Sequence, residues 1–250
     1  MTKISIRTPE QLALMRHSGK ILQKAQKAMK KACVAGTTLL ELDAIAEHVI
    51  RSEGATPAFK GFQGFPNTIC SMINSEVVHG IPDNRKLQNG DMVSIDCGCF
   101  WKGWCADAAF TIIIGGDEQN PERAKFSASV KKALEARMSG RQRGNTLGDI
   151  GYIIEKTIVD AGYSICEEYT GHGLGREMHE APYVYNYGMP GKGLLLKSGM
   201  TFAIEPIVAS GNPKVKTLKD GWTVVTEDGR DACQWEHFGV VTPDGLEIFA

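Results

Sequence analysis

Residues 89–114 read NGDMVSIDCGCFWKGWCADAAFTIII. Val93, Ile95 and Cys97 alternate with polar or small residues, and apolar residues return after Lys102-Gly103. This is the pattern of a β-hairpin closed by a short turn. Asp96 and Asp107 fall inside its two strands, where Asp is a poor strand former. Residues opposite each other in an antiparallel pair share a face, and with an even-length turn their numbers sum to an odd value. Asp96 and Asp107 meet that condition, so both carboxylates leave the same face of the hairpin. Like charges on a half-buried face repel, and something positive is expected between them. The plain alternative is a pair of solvated aspartates on an exposed sheet face.

Working outward from the hairpin, helix signals come first. Thr8-Pro9-Glu10-Gln11 offers an N-cap, a proline at the first helical position and a capping-box partner. Leu14, Ile21, Ala25, Ala28 and Ala32 are expected on its buried face, and the helix ends before Gly36. A second helix begins at Thr38, with Glu41 closing another capping box, and stops near Gly54. GTTLLELDAIAEHVIRSEGA, from Gly36, is echoed by GNTLGDIGYIIEKTIVDAGY, from Gly144. In register, Thr38 meets Thr146, Leu39 meets Leu147, Glu41 meets Asp149, Leu42 meets Ile150, Ile45 meets Ile153 and Gly54 meets Gly162. A helical segment precedes each copy, around 11–32 and 121–138, and strand-rich sequence follows each. The pattern predicts an α/β (α+β) chain, a single domain over 1–250 made of two similar halves, roughly 1–115 and 116–250, that share one sheet.

The bulk composition narrows the function classes. A chain of 250 residues with formal net charge -1 has no general attraction to nucleic acid or to a membrane. Its seven cysteines are odd in number and lack framework spacing, which suits a reducing compartment. Cys97-x-Cys99 is not a zinc-site spacing. MTKISIR has no signal-peptide pattern, and no apolar run reaches membrane-spanning length. A soluble cytoplasmic protein is expected.

Two later apolar runs carry acids of their own. GMTFAIEPIV, from Gly199, holds Glu205, and CQWEHFGVVT, from Cys233, holds Glu236. Four acids inside strands would cost several kcal/mol each if buried without partners, and clustering around cations removes that cost. Four carboxylates suit two ions bridged about 3.5–4 Å apart better than one. His172, in a glycine-flanked turn, adds a nitrogen ligand, and such a mostly oxygen site suits Mn²⁺, Fe²⁺ or Co²⁺, with Zn²⁺ also possible. Gly171-x-Gly173-x-Gly175 lacks the dinucleotide spacing.

Asp96, Asp107, His172, Glu205 and Glu236, in the contexts SIDCG, CADAAF, GHGLG, FAIEP and QWEHFGVV, resemble the five-ligand set of the methionine aminopeptidases. INSEVVHGIP and KDGWTVVT are similar to that family too, and the likeness runs from Ile4 to the C-terminus. The chain looks like the type I form, without the long insertion of type II enzymes or an N-terminal zinc-binding extension. The resemblance implies the pita-bread fold, with two pseudo-twofold-related halves and a central curved, mostly antiparallel sheet flanked by helices. It implies two divalent ions per chain, with Asp107 and Glu236 bridging both, Asp96 on one, and His172 and Glu205 on the other. It implies hydrolysis by a hydroxide held between the ions, with Glu205 moving its proton to the leaving amine. His79 would hydrogen-bond near the scissile nitrogen, and His179 would stabilise the oxyanion. The substrates implied are the N-termini of nascent polypeptides near the ribosome, cut after the initiator methionine when the next residue is small.

The methionine pocket implied by the resemblance comprises Phe59, Phe62, Phe65, Cys70, Met178 and Trp222. Many relatives carry Cys where Phe59 stands, Tyr for Phe65 and Phe for Met178. The replacements stay apolar, so an unbranched thioether still fits. His17 and His48 read as surface residues on helices, and strand alternation turns His237 away from Glu236. Prolidases and aminopeptidase P are the nearest rivals, but normally carry an additional N-terminal domain.

Overall fold

The computed structural model describes residues 4–136 and 146–250; Gly144 and Met138 lie outside them. In chain order the elements are α1 (Pro9–Ala32), α2 (Leu39–Ser52), β1 (Thr56–Pro57), β2 (Ile69–Ile73), β3 (Glu76–Val78), β4 (Met92–Trp101), β5 (Trp104–Ile113), α3 (Pro121–Ala136) and α4 (Leu147–Asp160). There follow β6 (Ser164–Ile165), β7 (Gly171–Gly173), β8 (Glu180–Val184), β9 (Thr201–Ile204), β10 (Ile207–Ala209), β11 (Val215–Thr217), β12 (Val224–Thr226), β13 (Ala232–Gln234), β14 (His237–Thr242) and β15 (Gly245–Ile248).

The repeat seen in the sequence is repeated in the structure. Thr38 Oγ1 accepts from Glu41 N at 3.2 Å while Glu41 Oε2 accepts from Thr38 N at 2.7 Å. Thr146 and Asp149 make the same reciprocal pair at 3.4 and 2.7 Å. Each box satisfies two otherwise orphaned N–H groups and opens a helix of 14 residues. Each threonine also forms an isolated antiparallel bridge, Thr38 to Lys86 and Thr146 to Leu195. Residues of α1 and α2 pack with β4 and β5 in one apolar core, and α3 and α4 pack with β9 and β14 in another. The chain has the α/β pita-bread fold.

The sharing of one sheet takes a more divided form than expected. Strand pairing runs in separate ladders, β1-β4-β2 with β5 on β4, β13-β10-β6, β11-β12-β3 and β15-β14-β9-β7-β8, and the registered pairs are all antiparallel. The seam between halves is crossed by the β12–β3 pairing and elsewhere by single bonds. Glu236 N donates to Ala109 O at 3.1 Å, and Thr111 Oγ1 donates to Gln234 O at 2.6 Å.

The β4–β5 hairpin forms as read. Lys102 and Gly103 both take positive φ, 49° and 72°, the conformation of the two-residue turn that matches strand twist. Asp96 pairs with Ala109 and Gly98 with Asp107, so the two aspartates are diagonal neighbours on one face.

The buried stripe of α1 differs from the expected one. Met15, Leu22, Ala25 and Met29 are buried along with Ile21, whereas Leu14, Ala28 and Ala32 are only partly covered. The apolar pattern missed Ser18 and Gly19, which sit on the contact line because backbone comes close there. Ser18 Oγ donates to Trp104 O at 2.9 Å, and a Cβ on Gly19 would lie 2.4 Å from Phe249 O. An Ala in a helix interior ordinarily gains up to about 1 kcal/mol over Gly, while overpacking costs about 1–3 kcal/mol. A backbone oxygen cannot turn aside like a side chain, so the clash wins. Gly19→Ala is expected to lose roughly 1–2 kcal/mol, read as a lower denaturant midpoint at unchanged slope. A raised midpoint would show that the C-terminal segment yields.

Candidate metal centre and its cavity

The hairpin face carrying Asp96 and Asp107 forms one wall of a cavity of about 760 Å³. The opposite wall comes from two strand breaks. β9 ends at Ile204 and β10 starts at Ile207, leaving Glu205 and Pro206 between ladders; β13 and β14 are parted by Trp235 and Glu236. Glu205 and Glu236 therefore stand at junctions, not inside strands. Pro206 has no N–H to continue a ladder, which forces the change of sheet. The register Ile204↔His237 on one side of the gap matches Ile207↔Gln234 on the other, and carrying it through sets Glu205 opposite Glu236. His172 lies in the short strand β7 rather than in a turn, buried beside Asp107.

Every residue singled out in the sequence reaches this cavity: Asp96, Asp107, His172, Glu205, Glu236, His79, His179, Phe59, Phe62, Phe65, Cys70, Met178 and Trp222 all line it. One donor atom each from Asp107, His172 and Glu236 lies within 4.8 Å of the others. His172 Nε2 is 3.6 Å from Glu205 Oε1 and 3.9 Å from Asp107 Oδ2. His172 Nδ1 lies 3.0 Å from Gly173 O. A carbonyl can only accept, so Nδ1 carries the proton and Nε2 presents its lone pair to the carboxylates.

The electrostatics of the cluster are those of a site built for cations. Among the described residues lining the cavity none is Lys or Arg. Burial, with the charges of Asp96 and Glu205 behind it, pushes Asp107 well above the carboxylate range. Burial and the neighbouring Asp107, Asp96 and Glu205 do the same to Glu236, and burial and Asp96 to Glu205. Asp96 is raised by burial to about 6. His172 is lowered, chiefly by burial, to about 4, so its ring is neutral at physiological pH. Asp96 Oδ1, Asp107 Oδ1 and both Glu236 oxygens have no hydrogen-bond partner among the described residues although buried. Unpartnered buried carboxylate oxygens around a neutral imidazole fit a divalent ion.

His79 and His179 line the same cavity. His79 takes φ 58°, a left-handed conformation that costs a non-glycine residue about 1–3 kcal/mol and clusters at functional sites. A Cβ at the following Gly80 would sit 2.2 Å from Ser71 O, so that close approach fixes where the His79 turn can go. The rings of His79 and Trp222 meet edge to face at 6.4 Å, and those of His172 and His179 at 4.3 Å. Burial lowers the pKa of both His79 and His179. Among the other histidines, His17 and His48 are exposed on their helices, and the His237 ring sits 3.1 Å from Ala250 O.

Two polar residues escaped the sequence reading. Gln234 Nε2 donates to Asp96 Oδ2 and to Glu205 Oε2, both at 3.4 Å, tying the two carboxylates that lie outside the tight group. Its only signal was a position two residues before Glu236. Glu180 pairs with Arg7 and accepts from Arg176 N at 2.8 Å and Glu177 N at 3.2 Å. It thus holds the turn that carries Met178 and His179.

A family model described as metallopeptidase family M24 matches residues 13–243. The chain belongs to metallopeptidase family M24. A methionine aminopeptidase of Bacillus subtilis is 39% identical over 245 residues, covering 98% of each chain. The crystal structure of a methionine aminopeptidase from Thermotoga maritima superposes with TM-score 0.95 at 36% identity, over 99% of both chains. A prolidase from Pyrococcus furiosus shares the fold at TM-score 0.77 and 23% identity, over 98% of this chain and 64% of that one. Membership of M24 makes this a metal-dependent peptidase, with a divalent cation as its cofactor. Among the described residues no helix is long and apolar enough to cross a membrane.

The raised carboxyl pKa values set a sign for the metal's effect on stability. A folded-state pKa above the unfolded value favours the protonated form. Without metal, that contribution is full below the ordinary carboxylate range and fades as pH rises through about 6 and beyond. A cation that binds the ionised cluster opposes this loss, so the increase in Tm on adding Mn²⁺ to metal-free protein is expected to be larger at about pH 7.5 than at about pH 5. An increase independent of pH would separate metal binding from these carboxyls.

Proposed function

We propose that this chain is a methionine aminopeptidase that removes the initiator methionine from nascent polypeptides when the second residue is small, with two divalent ions bound per chain. The observation that supports the reading is that one cavity is lined by five ligand-type side chains, two further histidines and a set of apolar residues. Asp107 and Glu236 would hold both ions, Asp96 one, and His172 and Glu205 the other, with Co²⁺, Mn²⁺, Fe²⁺ or Zn²⁺ as candidates. When bound, such ions supply Lewis acidity at the scissile carbonyl and make water acidic enough to ionise near neutral pH.

The chain's own residues divide the remaining work. Glu205 takes the proton of the attacking water on its carboxylate and passes it to the leaving amine. His79 positions the scissile nitrogen, and His179 donates to the developing oxyanion. The substrate's free α-amine would bind on the Asp96 side of the cavity, which would limit cleavage to the first residue. Phe59, Phe62, Phe65, Cys70, Met178 and Trp222 take the methionine side chain. Phe59 is bulkier than the Cys common in relatives, but its Cε1 sits only 3.0 Å from where a Gly98 Cβ would be. The ring is thus parked against bare backbone, which supports a lining role. The same reading makes 1–250 a single catalytic domain of two halves. It places the enzyme in the cytoplasm, near the ribosome, with no membrane or nucleic-acid contact required.

The test is kcat/KM across a Xaa-Ala-Ser peptide series. Met is expected to lead, norleucine to follow within the ~1–3 kcal/mol that an apolar pocket discriminates, and Lys to be rejected because its charge would be buried. A preference for Ala or Gly over Met would remove the methionine assignment and leave the metallopeptidase standing.

A further inference from the structure

Residues 180–183 of β8 line the cavity. That strand is the terminal member of its ladder, paired with β7 and with no other strand among the described residues. Tyr183 stands opposite His172 in the β7–β8 register, so the two side chains leave the same face, and Tyr183 lines the cavity. Tyr185 and Tyr187 follow at two-residue spacing. Both lie past the end of β8 at Val184, and the ring centroids are 6.4 Å apart from Tyr183 to Tyr185 and 5.3 Å from Tyr185 to Tyr187. Tyr183 is 70% exposed and Tyr185 44%. Tyr187 packs against the second apolar core, which leaves Tyr183 and Tyr185 as an open aromatic pair beside the site, unusual unless something covers it.

The dimensions and placement select the occupant. Two residues of an extended chain advance about 6.6 Å, close to the ring spacing. An extended peptide leaving the cavity would therefore set alternate side chains against successive exposed rings. Tyrosine supplies rigid, amphipathic contact area that tolerates varied partners, which suits a ligand whose sequence differs from one protein to the next.

We propose that Tyr183 and Tyr185 form a binding track for the part of the peptide substrate beyond its second residue, with its alternate side chains laid against the two exposed rings. The proposal rests on the aminopeptidase reading and adds to it a length-dependent subsite that starts at the cavity-lining Tyr183 and continues to Tyr185.

The experiment compares Met-Ala-Ser with an octapeptide that begins Met-Ala-Ser, using metal-loaded wild type, Tyr185→Ala and Tyr185→Phe. Wild type is expected to favour the octapeptide by about tenfold in kcat/KM, equivalent to ~1.4 kcal/mol. Tyr185→Ala should reduce that advantage to within about twofold, through KM, and leave the tripeptide unaffected; Tyr185→Phe should keep it. Equal kcat/KM for the two peptides in wild type, or equal losses on both in Tyr185→Ala, would overturn the track. So would concentration-dependent dimerisation abolished by Tyr185→Ala with the length preference intact, which would make the aromatic pair a contact between copies of this chain. Failure of wild type to cut either peptide would instead remove the aminopeptidase reading.

Discussion

Three buried carboxylates and the half-buried Asp96 crowd one cavity without a Lys or Arg among the described residues that line it, and the rest of the molecule is arranged around their repulsion. Two unit charges about 4 Å apart still cost roughly 4 kcal/mol at an effective dielectric near 20, and carboxylate oxygens of Asp107 and Glu236 come within 4.8 Å of each other. Protonation relieves the strain at low pH, and a divalent cation relieves it at neutral pH. Only the second leaves the carboxylates charged, and only the second supplies an electrophile. The neutral His172, its Nδ1 proton committed to Gly173 O, adds a ligand without adding to the charge.

Rigid supports are what make so unfavourable a grouping tolerable. The β4–β5 hairpin brings Asp96 and Asp107 to one face through a two-residue turn. The breaks at Glu205-Pro206 and Trp235-Glu236 bring the other two acids across the seam in a common register. Glu236 N bonded to Ala109 O locks the second pair to the first, and Gln234 joins Asp96 to Glu205. The helices carry the apolar burial that holds these strands: α1 and α2 behind one half, α3 and α4 behind the other. The polar centre and the two cores are thus complementary. The metal-free centre opposes folding, and the cores and backbone ladders outweigh it.

Much of this was legible in the sequence because its signals are local. The hairpin declared itself by alternation and a Lys-Gly turn, the helices by two capping boxes, and the site by acids placed where strands avoid them. What was missed depends on contacts between distant segments. The α1 stripe was displaced because Ser18 and Gly19 answer to Trp104 and Phe249, far along the chain. Glu205 and Glu236 read as strand residues because an apolar run does not reveal where a ladder changes sheet, although Pro206 marked one such place. Gln234 and Glu180 are polar residues in strand-like contexts, and only the folded positions of Asp96, Glu205 and the Met178–His179 turn give them a purpose.

The central claim is that the carboxylate cluster works as a metal centre, and the most direct measurement is elemental analysis paired with turnover on the same samples. Chelated protein, titrated with Mn²⁺ or Co²⁺, is expected to gain peptidase activity in proportion to bound metal, with activity absent at zero occupancy. Full turnover in a preparation shown to be free of metal would contradict the account.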